Sequence, residues 1–154
     1  MRRKEKAVTA LPEIEAILKA GKVCQLAFVD EPVPYIVNLN YGYSDGALYF
    51  HSAPEGRKME LIGGNPQAAF NVVLDLGIIE GEEACNWSCR YRSVVGHGRI
   101  RMLFDREEKC RGLDIIMSQY GAETFDYADT ALKATAVYRL EIIAMTAKQS
   151  RTDS

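Results

Sequence analysis

Residues 35–58 read YIVNLNYGYSDGALYFHSAPEGRK, and the rest of the chain is arranged around them. Tyr35, Val37, Leu39, Tyr41 and Tyr43 alternate with Ile36, Asn38, Asn40 and Gly42. A period of two sends neighbouring side chains to opposite faces of a strand, so one face is apolar and the other is partly lined by amides. Ser44-Asp45-Gly46 predicts a tight turn, because glycine takes the positive φ that hairpin turns demand. The return strand covers residues 47–52 and ends in His51 and Ser52. Pro54 suits an early helical position, which puts Arg57 and Lys58 in the first turn of a helix. Free N–H groups at a helix N-terminus, a hydroxyl and two cations make an anion site. The expected occupant is a phosphate, with a flat ring lying back along the sheet.

Upstream, Leu11, Ile14, Ile17 and Leu18 fall at helical spacing before Gly21, which predicts a short amphipathic helix. Residues 23–29 are mostly apolar and run into Asp30-Glu31-Pro32, a turn that sets this strand antiparallel to the one starting at Tyr35. Downstream, Met59, Leu61 and Ile62 pin the helix to the core and Gly63-Gly64-Asn65-Pro66 breaks it. Residues 69–76 read as a strand and 78–90 as an excursion from the sheet. Residues 93–104 alternate again, and Gly96 and Gly98 within them imply a bulge, a barrel corner or the close approach of a ligand. Residues 105–120 give the clearest helix. Asp105 caps it, Glu108 sits where a capping box needs it, and Leu113, Ile116, Met117 and Tyr120 form its apolar stripe. A loop with a helical turn leads to a last strand at 136–146, with Tyr138, Leu140 and Ile142 facing inward. About six strands joined mostly by hairpin-length connections favour a mainly β fold, an antiparallel barrel with peripheral helices, over a parallel βαβ sheet.

The 154 residues, 47% hydrophobic and 26% charged, are read as one domain with flexible ends at 1–10 and 149–154. No apolar run approaches the length of a membrane span, and MRRKEK at the start leads into no apolar signal core, so the expected location is cytoplasmic. A net charge of −2 gives no general reason to bind nucleic acid. Cys24, Cys85, Cys89 and Cys110 form no CxxC pair and read as reduced thiols, with no metal site expected. There is no GxGxxG fingerprint after a strand and no phosphate-loop lysine motif.

The segments PYIVNLNYGY, LYFHSAPEGRK, Asn65-Pro66, YRSVVGHGRI and VYRLEIIAMTAK occur in an order that is familiar. They resemble the flavin-binding split barrels of the pyridoxamine 5′-phosphate oxidase-like superfamily, and within it the nitroimidazole reductase branch. The resemblance implies a six-stranded antiparallel split β-barrel that forms a homodimer, with FMN bound in the cleft between subunits. By that similarity Arg57 and Lys58 hold the FMN phosphate with help from Ser52. Backbone groups of Val37, Asn38, Leu39 and Asn40 line the isoalloxazine edge, and His51 lies near the ring or the ribityl chain. Arg92, Ser93 and Val94 reach the flavin bound mainly by the other subunit, and Gly96 and Gly98 serve close approach at the dimer seam. Two departures bear on function. The approach to the helix, SAPEGRK, is a residue longer than the oxidase pattern, and residues 150–154 lack the oxidase's Arg-Leu-Ala-Pro-like closure. Oxidation of vitamin B6 is therefore not expected.

The resemblance implies an FMN-dependent oxidoreductase that reduces a small aromatic or nitroaromatic acceptor. His51 is the candidate catalytic proton donor, since an ordinary imidazole titrates nearest neutrality. It fits equally a strand histidine satisfied by a backbone carbonyl. Trp87 is either a core or interface aromatic or a stacking surface in the substrate pocket. Two other readings stand beside this one: a flavin-binding protein without turnover, and the same barrel holding haem or deazaflavin. No nicotinamide motif names the electron donor.

Overall fold

The computed structural model describes residues 4–122 and 125–150. In chain order the elements are β1 (Ala7–Val8), α1 (Leu11–Ala20), β2 (Val23–Phe28), β3 (Tyr35–Asn40), β4 (Gly42–Ser44), β5 (Ala47–Ser52) and α2 (Arg57–Gly64). There follow β6 (Gln67–Ile79), β7 (Ser88–Leu103), α3 (Arg106–Gln119), α4 (Asp129–Lys133) and β8 (Ala136–Gln149). One antiparallel sheet runs β3-β2-β6-β7-β8-β5-β4, with β1 added on β8, and the helices lie around it. The mainly β, antiparallel architecture is the expected one.

Among the described residues eight strands stand where about six were expected: the predicted strand over 35–43 divides at Tyr41, and the two-residue β1 is added. β3 pairs with β2 and β4 pairs with β5, which stand at opposite ends of the sheet order. One residue of chain thus joins the two edges of the sheet. Tyr41 is fully buried at this crossing and its hydroxyl donates to the Leu18 carbonyl at the end of α1. The hairpin that follows turns through Asp45 (φ 47°) and Gly46 (φ 73°), so both central residues are left-handed, as a tight two-residue loop requires.

The excursion expected over 78–90 is confined to 80–87, and its two flanks belong to the sheet. β6 and β7 stay paired out to Ile79 and Ser88, past an irregularity between Asp75 and Ile78 where Gly77 takes a φ of 100°. Only residues 80–87 lie outside the hairpin. Cross-strand bonds continue along this arm although its side chains, Leu76 and Ile78 among them, face solvent, and that is why hydrophobic patterning could not show it.

Phe28, Tyr41, Phe50, Phe70 and Tyr138 fill the barrel, with the Phe50 and Tyr138 rings stacked 5.7 Å apart. α1 covers them with Ile14, Ile17 and Leu18. A second cluster of Tyr49, Leu103, Ile116 and Val137 seats α3 on the other side of β5 and β8. The Asp105 carboxylate accepts from the backbone N–H groups of Glu107 and Glu108 at 2.9 and 3.2 Å, as an N-cap should. The Glu108 side chain does not complete a capping box. It accepts from Arg101 at 2.7 Å instead. The inner face of α3 also carries Gln119, whose amide donates to the carbonyls of Leu18, Lys19 and Gly21 and satisfies the end of α1.

The chain ends are tied in further than composition indicates. Ala7 and Val8 pair with Lys148 and Ala147, Gln149 pairs with Arg92, and Ser150 exchanges two hydrogen bonds with Tyr91. The remaining parts of the expected flexible ends, 1–3 and 151–154, lie outside the described residues. Gly96 and Gly98 also have a different reason from a dimer seam. A Cβ at Gly96 would meet the Ala144 carbonyl oxygen at 2.5 Å and the Phe70 ring at 2.6 Å, and one at Gly98 would fall on the Glu141 carbonyl. The close approach is between β7, β8 and the core of this same chain.

Candidate functional site

β5 delivers His51 and Ser52 at its end, and the next turn places α2 beside them. Pro54 is not in the helix: Gly56, with a φ of 106°, is the N-cap, and Arg57 is the first helical residue. Ile62 is buried, and Met59 and Leu61 pack against the core, so the first turn of α2 is held at the mouth of the barrel. Both predicted cations lie in that turn, but their surroundings differ.

Arg57 is already engaged. Its Nε donates to Asp30 Oδ2 at 3.0 Å, its Nη2 to Asp30 Oδ1, and its Nη1 to Glu60 Oε2 at 3.3 Å. The hydrogen bond from Arg57 holds the Asp30 carboxyl below its usual pKa, and the same bond raises that of Arg57. Asp30 follows β2, so this fork ties α2 to the β2–β3 turn. Lys58 is half-buried, and burial pushes its pKa down. Among the described residues no carboxylate pairs with it. His51 keeps one side in solvent, yet burial of the rest, followed by the charge of Lys58, holds its pKa below the ordinary value. Both influences favour the neutral imidazole. The Ser52 hydroxyl donates to the Ala53 carbonyl at 2.9 Å and lies 3.7 Å from Met59 Sδ.

In a Lys58→Gln variant the His51 ring is expected to titrate at higher pH than in the parent, because a positive charge that opposes protonation has been removed. Histidine ring resonances followed by NMR across pH give the shift. An unmoved His51 titration means that Lys58 does not act on the ring.

β3 supplies the second half of the site. Among the described residues it is bonded into the sheet through β2 alone, and its other side runs beside β5 without pairing. Alternate backbone N–H and C=O groups of an edge strand have no ladder partner. Val37 and Leu39 turn half-buried side chains to the core, while Asn38 and Asn40 face out. The Asn40 amide donates to the Tyr120 hydroxyl at 2.8 Å, and that hydroxyl donates to the Lys22 carbonyl.

The remaining candidates stand apart. Arg92, Ser93 and Val94 lie in β7, which has β6 and β8 on its two sides and does not border β3 or β5. Val94 is fully buried in the core and laddered to Val72 and Ala147, so the ligand contact implied for it is corrected: it has neither side-chain nor backbone surface to offer. Ser93 is also buried, and its hydroxyl has no hydrogen-bond partner among the described residues. Arg92 alone of the three is exposed. Trp87 is exposed at the base of the 80–87 loop, after the turn Ala84–Asn86. Asp30 is the residue that sequence reasoning missed. It reads as a turn former, and only folding brings it to Arg57.

The cysteines are unpaired. Cys24 is buried, with its thiol pushed up to about 12 by burial, whereas Cys85 and Cys89 are exposed. Among the described residues no three His, Cys, Asp or Glu side chains are grouped to hold a metal ion, and no helix is long and apolar enough to cross a membrane.

Residues 11–149 match the family described as pyridoxamine 5′-phosphate oxidase. The chain belongs to that family. Among solved relatives, a candidate 5-nitroimidazole antibiotic resistance protein of Bacteroides thetaiotaomicron is 33% identical, with a TM-score of 0.83 over 93% of this chain and 86% of that one. An FAD-binding protein of Mesorhizobium loti is 26% identical, with a TM-score of 0.70 over 95% of this chain and 98% of that one. An uncharacterized protein of Rhizobium meliloti is 30% identical over 96 residues, 62% of this chain. That match spans only 56% of the relative's own length. Membership of the pyridoxamine 5′-phosphate oxidase family agrees with the resemblance carried by the five ordered segments.

Proposed function

We propose that this chain binds a flavin, FMN in the first instance, between the open edge of β3 and the first turn of α2, and reduces a small aromatic or nitroaromatic acceptor. The observation that carries the reading is the meeting of Lys58, His51 and Ser52 beside a strand edge with unmet backbone groups. These residues fit the group. A half-buried ammonium without a carboxylate suits a phosphate, and unpaired strand N–H and C=O groups suit the donors and acceptors along an isoalloxazine edge. Arg57 fits less well, since three of its N–H bonds go to Asp30 and Glu60. Its part is to hold the first turn of α2 in place so that Lys58 points at the anion.

Bound flavin supplies electron transfer; the protein supplies orientation, polarity and access. His51, whose neutral form burial and Lys58 favour, offers a hydrogen-bond donor and a weak base. Its depressed pKa makes the protonated form scarce at neutrality, so water is the favoured proton source there and any contribution of His51 as an acid grows as pH falls. The family likeness to a candidate nitroimidazole resistance protein supports the acceptor class.

A homodimer belongs to the same proposal. Val73, Leu76, Ile78, Val95 and Ile143 are large apolar side chains left exposed along β6, β7 and β8, and such a patch asks for cover. A second copy seated there brings exposed Arg92 and Trp87 toward a neighbour's flavin. A specific observation also favours FAD as the occupant. The Mesorhizobium loti relative, 26% identical over 95% of this chain, is described as FAD-binding.

The test is the visible spectrum of the purified protein, followed by identification of the cofactor released on denaturation. About one FMN or FAD per chain is expected, with reoxidation of the reduced protein by a nitroimidazole under anaerobic conditions. A colourless protein that takes up neither added FMN nor FAD removes the flavin reading, and a bound flavin that no nitroaromatic reoxidises removes the acceptor.

A further inference from the structure

A cavity of about 450 Å³ lies between α2, the end of β7, the start of α3 and the first residues of β8. Met59, Ile62, Ile100 and Met102 give it an apolar wall. Phe104 stands at its edge, 82% exposed, more than any other large apolar side chain among the described residues. Two ammonium groups belong to the lining. Lys109 is fixed, donating from Nζ to the carbonyls of Leu132 at 2.6 Å and Thr135 at 2.8 Å, which leaves one N–H of its three. Lys133 makes no hydrogen bond or ion pair among the described residues. The same Phe104, Lys109 and Lys133 also line an adjoining depression of about 300 Å³, where the one carboxylate, Asp129, is paired with Arg106 at 3.0 Å. The combined lining is therefore apolar with an uncompensated positive charge. The volume is that of a small-molecule site, and His51, Ser52, Arg57 and Lys58 take no part in it.

We propose that this cavity is a second ligand site, independent of the flavin reading, for a small apolar carboxylate such as an arylalkanoate. The apolar body lies against Met59, Ile62 and Met102, an aryl ring covers Phe104, and the carboxylate meets Lys133 and the free N–H of Lys109. An occupant of this kind removes an exposed aromatic from water and places a carboxylate between two ammonium groups that have none.

Isothermal titration of the purified protein with 4-phenylbutyrate and with its neutral counterpart, 4-phenyl-1-butanol, tests the proposal. The acid is expected to bind with a Kd below about 1 mM and at least about threefold more tightly than the alcohol, the margin an exposed ion pair provides. Lys133→Gln should narrow the acid's margin over the alcohol, with Lys109 holding what remains of it. Gly63→Leu should fill the cavity: a Cβ at Gly63 meets nothing within 4 Å and its backbone is helical, so the fold accepts the side chain. Binding is expected to fall at least about tenfold in that variant. Saturating FMN should leave the affinity for the acid unchanged, whether or not the flavin itself binds. No heat from the acid up to about 10 mM, equal affinity for acid and alcohol in the parent, full binding in Gly63→Leu, or competition by FMN would each overturn the assignment.

Discussion

Replacing Lys58 with alanine is expected to weaken flavin binding by about thirty- to a hundredfold, which corresponds to about 2–3 kcal/mol for one charge-assisted contact to a phosphate. Lys58 is half-buried and has no carboxylate partner among the described residues, so little of its attraction for an anion is spent within the protein. Arg57→Ala should do less harm to affinity, because Asp30 and Glu60 already hold that guanidinium through three hydrogen bonds. Lys58→Arg should fall between, keeping the charge while changing its reach. Quenching of flavin fluorescence on titration with each variant gives the comparison. Equal losses in Arg57→Ala and Lys58→Ala would mean that Arg57 leaves Asp30 when the anion arrives, and that both cations hold the phosphate.

Gly98→Val should cost at least about 3 kcal/mol of stability, a large part of what a domain of this size possesses. Gly98 is buried where β7 and β8 shift register between His97 and Gly98. A Cβ there falls on the Glu141 carbonyl and stands 2.6 Å from Leu140 Cδ2, in the fully buried core. Neither neighbour can yield without moving a central strand. For a chain of 154 residues the expected drop in Tm is about 6–12 °C, read by circular dichroism. Gly63→Leu, in open space on an exposed turn of α2, is the contrast and should melt no lower than the parent. A Gly98→Val protein that melts with the parent would show that β8 slides past β7 at little cost.

The helices and most strands were legible because their signals are local. Leu11 through Leu18 carry a helical period, Asp105 is a cap, and Asp45-Gly46 is a two-residue turn, and each of these depends on near neighbours alone. The division at Tyr41 was not legible, since alternation runs unbroken from Tyr35 to Tyr43 and only the change of partner, from β2 to β5, interrupts the ladder. Gln119 was hidden for a related reason: a polar residue is buried at the core face because three carbonyls of a distant helix end need donors. At the site, the run from His51 to Lys58 pointed to an anion, and both cations do fall in the first turn of α2. Their inequality depends on Asp30, 27 positions from Arg57 in the chain, and no spacing rule reaches that far.

The open side of β3 has a consequence for how the protein behaves in solution. A strand with one row of backbone groups unmet is a template on which another chain can add a strand, and Ile36 stands 63% exposed upon it. Pro32, Pro34, Asp30 and Glu31 sit just before this strand, where breakers and charges discourage edge-to-edge growth at its beginning only. From Tyr35 to Asn40 nothing of that kind guards it. The edge that would receive a cofactor is thus also the edge open to strand addition by a second chain, so an occupant of that gap would double as a guard against aggregation.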